Sequence, residues 1–112
     1  SVEELDYLLK NIKPKAVILV HSETSTGVLE DIDNISSVIP DETFFIIDAV
    51  SIFGAIEYKC DEWGADFCVG YSSKALSALP GITPFMVSKR LIDYISSREY
   101  FKGFINDFKV WL

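Results

Sequence analysis

Three polar residues stand where buried strands of this sequence are predicted to end. Thr24 follows the first long apolar run, Asp48 ends the second and Lys74 follows the third. In an open α/β sheet, ligands bind at the carboxyl ends of the strands. Parallel neighbours lie about 4.8 Å apart, so three adjacent strand ends cover roughly 10 Å. A small aromatic ring fits across that span, with a carboxylate at one end and a long amine at the other.

Each of these residues also has a structural interpretation. A carboxylate that ends an apolar strand, such as Asp48, is costly to bury unless a cation or hydrogen-bond donors meet it. An isolated loop lysine is most often a solvated charge. Ser72 and Ser73 directly before Lys74 favour a binding role, because hydroxyl groups beside a lysine can hydrogen-bond a phosphate. We interpret His21 as a hydrogen-bonded residue at a strand end, with no partner that would make it a metal ligand.

The elements that would position these residues alternate between helices and buried strands. Leu5, Leu8 and Ile12 have helical spacing, and continuous apolar runs rich in β-branched residues are typical of strands covered on both faces. Ser88 is positioned to cap the last helix. The patterns predict helices over residues 5–12, 28–39 and 88–95, strands over residues 16–20, 43–48, 67–71 and 82–88, and a helical turn over residues 60–64.

This order predicts an α/β domain in which layers of helix cover a sheet of about four strands. Right-handed crossovers place the first three strands parallel and next to one another. The link to the fourth strand has little helical pattern, so we expect the fourth strand to return antiparallel. We expect residues 1–112 to form a single domain.

Composition excludes several classes of partner. The formal net charge is −7 and no basic cluster offsets it, which disfavours nucleic acid and anionic membrane surfaces. The apolar runs are too short to span a bilayer, and no leader pattern marks the start of the chain. Cys60 and Cys68 lack a paired-cysteine motif, so we expect reduced thiols in a cytoplasmic protein and no metal site.

Four segments in series resemble the class V aminotransferases of pyridoxal-phosphate (PLP) fold type I. They are residues 21–28, 48–55 and 63–66, then residues 72–76 with Pro80-Gly81. The nearest branches are the alanine–glyoxylate/serine–pyruvate and the 2-aminoethylphosphonate–pyruvate aminotransferases. The resemblance covers nearly the whole chain, and it implies the three-layer large domain of that fold.

The resemblance also implies roles for individual residues. Lys74 matches the lysine that holds PLP as a Schiff base and moves a proton between carbon centres. Asp48 matches the acid that keeps the pyridine nitrogen protonated, so that the ring withdraws electrons. The other implied cofactor contacts are Thr24 near the ring 3-oxygen, Val50 against a ring face, and Ser72 and Ser73 near the phosphate.

Members of the family are several times longer than this chain, so the resemblance implies a fragment of the large domain. The phosphate loop and the stacking aromatic residue would precede Ser1, and the substrate-binding arginine would follow Leu112. Arg90 and Arg98 match no motif, and we expect both to be surface charges. The implied activity is amino transfer between a small amino acid and a 2-oxo acid, by a protein that is a homodimer when intact. The fragment alone is expected to be inactive and to self-associate.

Two alternative functions remain open at this point. A non-enzymatic, doubly wound binding or signalling domain would use Lys74 as the ion-pair partner of Asp48. A PLP enzyme of the cysteine desulfurase type would need a mobile catalytic cysteine. That branch usually carries histidine where Ser73 stands, and both Cys60 and Cys68 precede the lysine in poor positions.

Overall fold

A four-stranded sheet with three helices forms the framework of the computed structural model, which describes residues 1–99, 103 and 107–110. None of the described helices is long and apolar enough to cross a membrane. In chain order the elements are α1 (Val2–Ile12), β1 (Ala16–Val20), β2 (Ser22–Glu23), β3 (Val28–Leu29), α2 (Ile32–Ser36), β4 (Phe44–Asp48), β5 (Phe67–Val69), β6 (Phe85–Val87), α3 (Lys89–Ser97) and a short 3₁₀ helix at Phe108–Val110.

The strand order of the main sheet is β1-β4-β5-β6. β4 pairs with β1 and with β5 in parallel, and β6 pairs with β5 antiparallel, which confirms the predicted topology. In this register Asp48 lies level with Val20 on one side and with Val69 on the other. The carboxyl ends of the three parallel strands therefore meet at one edge.

Helices lie on both faces of the sheet. On one face, Phe45, Ile47 and Cys68 pack with Ile32 and Ile35 of α2 in the main core. On the other face α3 covers part of the sheet, where the rings of Phe44 and Tyr94 lie 5.0 Å apart between centroids. α1 begins with a capping box between Ser1 and Glu4.

Residues 16–20 are covered on one face only within the described part of the chain, and not on both faces as the apolar run predicts. Ile18 is 71% exposed and Val20 is 47% exposed, because β1 is the edge strand and nothing described packs on its outer face. Its other face carries Val17 and Leu19, which pack against the core.

The predicted helix over residues 28–39 is also wrong at its start. Gly27 has a φ of 70°, a left-handed conformation that glycine adopts without strain, and it turns the chain back on itself. Val28 and Leu29 then pair with β2 as an antiparallel strand. The helix begins only after Asp31, whose carboxylate accepts a hydrogen bond from the Asn34 amide.

The fourth strand of the sheet is shorter than predicted and has the predicted direction. It covers Phe85–Val87 and not residues 82–88, and Pro84 has no amide proton to continue the ladder. The third strand likewise ends at Val69, although the Gly70 amide still donates to the Pro84 carbonyl oxygen. Ser88 caps α3 as expected, accepting from the Leu91 amide at 3.1 Å.

Arg90 and Arg98 are not the free surface charges that the sequence suggested. The guanidinium of Arg90 binds the carboxylate of Asp66, which is only 2% exposed, and also the carbonyl oxygen of Thr43. Arg98 binds the buried carboxylate of Asp107. Asp66 lies 24 positions from Arg90 and Asp107 lies nine positions from Arg98, and helix or strand periodicity predicts neither pair.

Candidate active site

The candidate site lies at the edge where the three parallel strands end. The His21 amide donates to the Asp48 carbonyl oxygen at 2.9 Å, and the Ala49 amide donates to the Val69 carbonyl oxygen at 2.9 Å. These bonds continue the sheet one residue beyond its strands. They hold together the starts of three segments, which we call the Thr24 loop (residues 24–27), the central loop (residues 49–56) and the Lys74 loop (residues 70–79).

Asp48 ends β4 with a carboxylate that no cation of the described residues neutralises. Its Oδ1 accepts a hydrogen bond from the Val50 amide at 3.0 Å, and the residue is half-buried. No salt bridge to Asp48 is formed within residues 1–99, 103 and 107–110. The local bond shapes the turn after the strand and leaves the carboxylate charge available to a ligand.

Lys74 is exposed, on a turn that is fixed by its backbone. The Ser77 amide donates to the Lys74 carbonyl oxygen at 2.9 Å. Its ammonium group forms no salt bridge with any residue of the described part of the chain. The ion pair between Asp48 and Lys74 that a non-enzymatic domain would use is therefore not formed.

Two close approaches hold the Lys74 loop against the central loop. A Cβ added at Gly70 would lie 2.5 Å from Cγ of Phe53, so only glycine leaves room for that ring. A Cβ at Gly54, whose φ is 95°, would lie 2.4 Å from Cδ2 of Leu76. Because the central loop follows Asp48 directly, these contacts place the lysine and the acid on adjoining loops.

The Thr24 loop meets the same central loop through a pair of hydroxyl groups. Oγ1 of exposed Thr24 and Oγ of half-buried Ser51 are 2.5 Å apart, so they share a short hydrogen bond. Sequence reasoning selected Thr24 and missed Ser51. The available signal was a second hydroxyl group three residues after the strand-end acid.

The remaining predicted site residues lie on these loops in different settings. Val50 is half-buried two residues after Asp48, and Ser73 is exposed directly before Lys74. The Ser72 hydroxyl is buried, donates to the Leu79 carbonyl oxygen at 2.6 Å and accepts from the Ile82 amide at 3.3 Å. Ser72 therefore closes the loop that presents Lys74. Contact of either serine with a phosphate stays a prediction.

An aromatic cluster near the start of the site was not predicted. His21 is 3% exposed, and its Nδ1 lies 2.8 Å from the Tyr58 hydroxyl, so it is the hydrogen-bonded strand-end residue we expected. Burial lowers the pKa of His21, which keeps the ring neutral near pH 7. The Trp63 ring packs edge-on against His21 and Tyr58, and its Nε1 donates to Asp33 at 2.8 Å.

Among the described residues no cluster of potential metal ligands is present.

Both cysteines are free thiols, as the sequence suggested. Burial raises the pKa of Cys68 to about 12, and burial also raises the pKa of Cys60. The thiolate is the nucleophilic form of cysteine, so neither residue is prepared for nucleophilic chemistry at neutral pH.

Comparison with known sequences identifies close relatives of this chain. The sequence model of the aminotransferase class-V family matches residues 1–108. The (S)-ureidoglycine–glyoxylate transaminase of Bacillus subtilis is 37% identical over 98 residues, covering 87% of this chain and 24% of that protein. Alanine–glyoxylate aminotransferase 1 of Saccharomyces cerevisiae is 38% identical over 102 residues, covering 86% of this chain and 26% of that protein. The chain thus spans about a quarter of the length of these relatives.

Solved structures show the same arrangement of elements. The crystal structure of an alanine–glyoxylate aminotransferase from Nostoc sp. superposes with a TM-score of 0.90 at 30% identity, covering 99% of this chain and 30% of that chain. A cysteine desulfurase from Thermococcus onnurineus NA1 superposes with a TM-score of 0.74 at 21% identity. The second likeness shows a shared fold alone.

Proposed function

Because this chain belongs to the class-V aminotransferase family, we propose that it is part of the cofactor-binding region of a PLP-dependent transaminase. The proposed reaction moves an amino group from a small amino acid to a 2-oxo acid such as glyoxylate or pyruvate. The names of the relatives support this substrate class, since several are alanine– or serine–glyoxylate aminotransferases. The observation that carries the proposal is that Asp48 and Lys74 lie on adjoining loops at one sheet edge without pairing with each other.

The residues of the site fit PLP. When bound, that cofactor supplies a carbonyl carbon that accepts the amino group and a ring that withdraws electrons from the substrate. Lys74 offers an exposed primary amine with no salt bridge to a described residue. Asp48 offers a carboxylate whose only hydrogen bond from a described residue comes from the Val50 amide, and it would hold a proton on the ring nitrogen.

Each residue of the candidate site has a separate proposed role. Lys74 would hold the cofactor through its amine. Once the substrate's amino group has replaced it on the cofactor, the freed amine would move a proton from the substrate carbon to a carbon of the cofactor. Val50 would pack against one ring face, and Thr24 would hydrogen-bond the ring 3-oxygen. Ser73 is exposed beside Lys74 and would approach the phosphate, while the Ser72 hydroxyl holds the loop closed.

Two observations disfavour the alternative functions. A non-enzymatic domain built on an Asp48–Lys74 ion pair loses its basis, because that pair is not among the salt bridges of the described residues. Desulfurase chemistry needs a reactive, mobile cysteine. Cys68 is fully buried within β5, and Cys60 packs against the core with a raised pKa, so neither of them suits that role.

We also propose that the intact protein is a homodimer. Exposed apolar side chains beside the candidate site support this, with Leu79 84% exposed and Ile82 67% exposed. Extended patches of exposed apolar side chains are typical of surfaces that another chain covers. Light scattering on the intact protein would measure its mass, and a monomeric mass would contradict the proposal.

The position of the cofactor linkage tests the proposed function. The full-length protein, loaded with PLP and reduced with borohydride, should carry the phosphopyridoxyl mass on Lys74 after digestion. Lys74→Arg should abolish the label, and Lys89→Arg should retain it, because Lys89 is paired with Asp93 on the surface of α3. A label on Lys59 or Lys89 of the unmodified protein would show the assignment to be wrong.

A further inference from the structure

The short contact between Thr24 and Ser51 joins two loops that reach the site from different strands. Oγ1 of Thr24 lies 2.5 Å from Oγ of Ser51, and either atom can be the donor. The two residues are 27 positions apart in sequence, so the contact exists only because β1 and β4 end side by side.

Both hydroxyl groups sit on backbones held by several hydrogen bonds. Ser51 lies within a tight turn, in which the Val50 amide donates to the Asp48 carboxylate and the Phe53 amide donates to the Ala49 carbonyl oxygen at 2.8 Å. On the other side, the Gly27 amide donates to the Glu23 carbonyl oxygen at 2.8 Å and closes the Thr24 loop. The backbones that carry the two hydroxyl groups are therefore held by the fold, and the contact between the two oxygens fixes the side chains on them.

The Glu23 side chain holds the Thr24 loop from its far side. Its Oε1 accepts from the Ser25 amide at 2.9 Å and from the Ser25 hydroxyl at 2.8 Å. The bond from the Ser25 amide, and then that from its hydroxyl, lowers the pKa of Glu23, so the carboxylate stays ionised near pH 7. The Ser25 hydroxyl group thus lies in the same loop as Thr24, but it bonds Glu23 and not Ser51.

Two hydroxyl groups that share a hydrogen bond have one proton left to donate to a third group. Each hydroxyl carries one proton and two acceptor lone pairs, and only one of the two can donate along the shared line. If Ser51 donates to Thr24, the Thr24 proton is free to donate to a third group. Donation by Ser51 also polarises Thr24 and makes it a stronger donor. The pair then delivers one hydrogen bond in a fixed direction from the exposed Thr24.

We propose that Ser51 is a positioning residue, which holds the Thr24 hydroxyl so that its proton is directed at the 3-oxygen of the PLP ring. This inference rests on the proposed function. An anionic ring oxygen can only accept, so it selects the arrangement in which Ser51 donates to Thr24 and Thr24 donates to the oxygen. Without Ser51 the Thr24 hydroxyl turns freely about its side-chain bond and loses its fixed direction.

The experiment uses the full-length protein with PLP as the probe and has two readouts besides activity. One is the dissociation constant of PLP, and the other is the pH midpoint of the visible absorbance of the bound cofactor. Ser51→Ala should weaken PLP binding roughly five- to tenfold, the usual effect of losing one hydrogen bond between neutral groups. The absorbance midpoint should move to higher pH by up to about one unit, because a donor stabilises the form with more negative charge on the oxygen.

Four further variants separate a positioning role from a structural one. Thr24→Val should reproduce both shifts, and the double variant should be no worse than Thr24→Val alone, since Ser51 is proposed to act only through Thr24. Ser51→Thr keeps a hydroxyl group at this position, so its PLP dissociation constant and absorbance midpoint should stay close to those of the unmodified protein. Ser25→Ala removes a hydroxyl of the same loop that bonds Glu23, and it should leave PLP binding within about twofold of the unmodified protein.

Each outcome bears on the proposal. If Ser51→Ala behaves like the unmodified protein while Thr24→Val shifts both readouts, or if the effects of the two substitutions add, the inference is overturned. Circular dichroism and borohydride labelling of Lys74 show that each variant is folded and loaded. If the unmodified protein itself gives no label on Lys74, the proposed function fails and this inference fails with it.

Discussion

Asp48 follows the four apolar residues of β4, and its charge lies at the carboxyl end of that strand. Its hydrogen bond with the Val50 amide uses only part of the acceptor capacity of a carboxylate, and no described cation neutralises it. A carboxylate held in this way is suited to stabilise a positive charge on a ligand. For that reason its removal should affect chemistry more than folding.

We expect Asp48→Asn in the full-length protein to lower kcat at least about 100-fold, since removing a preorganised electrostatic group usually costs a few kcal/mol of transition-state stabilisation. The PLP content, measured by absorbance, should fall far less, because Lys74 still binds the cofactor. Asp93→Asn is the matched control, as that acid only pairs with Lys89 on the surface of α3. Full PLP content together with an unchanged kcat would show that Asp48 is merely structural.

Residues of the site were predictable where their chemistry contrasts with their neighbours. Asp48 and Lys74 are charges next to apolar strands, which makes them visible in sequence. Ser51 has no such contrast, and its partner Thr24 is on another loop. The contact between His21 and Tyr58 spans 37 positions and depends equally on the folded chain. Contacts of this kind depend on strand register and on the conformation of the loops, which local patterns do not encode.

At the level of elements, Asp66 joins β4, β5 and α3 at the sheet edge opposite the candidate site. Its carboxylate accepts from the Phe45 amide at 2.9 Å, at the start of β4. It also accepts from the Ser88 hydroxyl at 2.7 Å and from the Arg90 guanidinium, at the start of α3. Asp66 itself directly precedes β5. Burial acts to raise the pKa of Asp66, but the bonds from Arg90, Ser88 and Phe45 hold it below its ordinary value.

Arg90→Ala should therefore destabilise the full-length protein by about 2–3 kcal/mol, because it leaves a buried carboxylate without its cation. We place the loss at the lower end of the range for buried pairs, since the Arg90 side chain is 45% exposed. Urea unfolding would measure it, and faster hydrogen exchange in residues 44–48 would locate it. Lys89→Ala breaks a pair whose side chains are 88% and 61% exposed and should cost less than about 0.5 kcal/mol.

The same pair predicts a pH dependence. A carboxylate with a lowered pKa stabilises the folded state fully above the unfolded value, which is about 3.9 for aspartate, and loses this effect as the pH falls through the lowered folded pKa. The difference in stability between the unmodified protein and Arg90→Ala should thus be largest near pH 7 and should narrow below about pH 4. A difference that is constant across this range would mean that Arg90 stabilises by packing alone.

The fold was predictable to the extent that each element carries its own pattern. Apolar runs predicted the first three strands of the main sheet, the Pro80-Gly81 turn marked the start of the fourth, and the weak helical pattern after β5 predicted the antiparallel return of β6. The small β2–β3 hairpin was missed, because its two-residue strands are too short for any periodicity and Gly27 alone signals the turn. The role of Arg90 was missed because its partner lies 24 positions away.

For the whole molecule, the distribution of apolar surface is uneven. The main core lies on one face of the sheet, where Phe45, Ile47 and Cys68 are at most 1% exposed. On the outer face of edge strand β1, Ile18 and Val20 are exposed, and the free edge of that strand presents unpaired backbone groups. Phe108 near the end of the chain is 40% exposed, while Phe101, Phe104 and Trp111 lie outside the described residues. An apolar edge strand of this kind is a template for pairing with another chain.

We therefore predict that the 112-residue chain, expressed by itself, self-associates and does not catalyse transamination. The chain spans about a quarter of its relatives, so further segments of a full-length protein would complete the site and cover β1. Sedimentation velocity at micromolar concentration should show species larger than a monomer. Ile18→Lys should shift the distribution towards monomer, because a charge on an edge strand opposes pairing with a second edge.

Ile12→Lys is the matched control for this substitution. Ile12 is 67% exposed, close to the 71% of Ile18, but it lies at the end of α1 and away from the strand edge. If association depends only on total apolar exposure, both substitutions should reduce it equally. If it proceeds through edge β1, only Ile18→Lys should do so. A monomeric chain that turns over an amino acid with PLP would contradict the prediction altogether, because it would mean that these residues form a complete site.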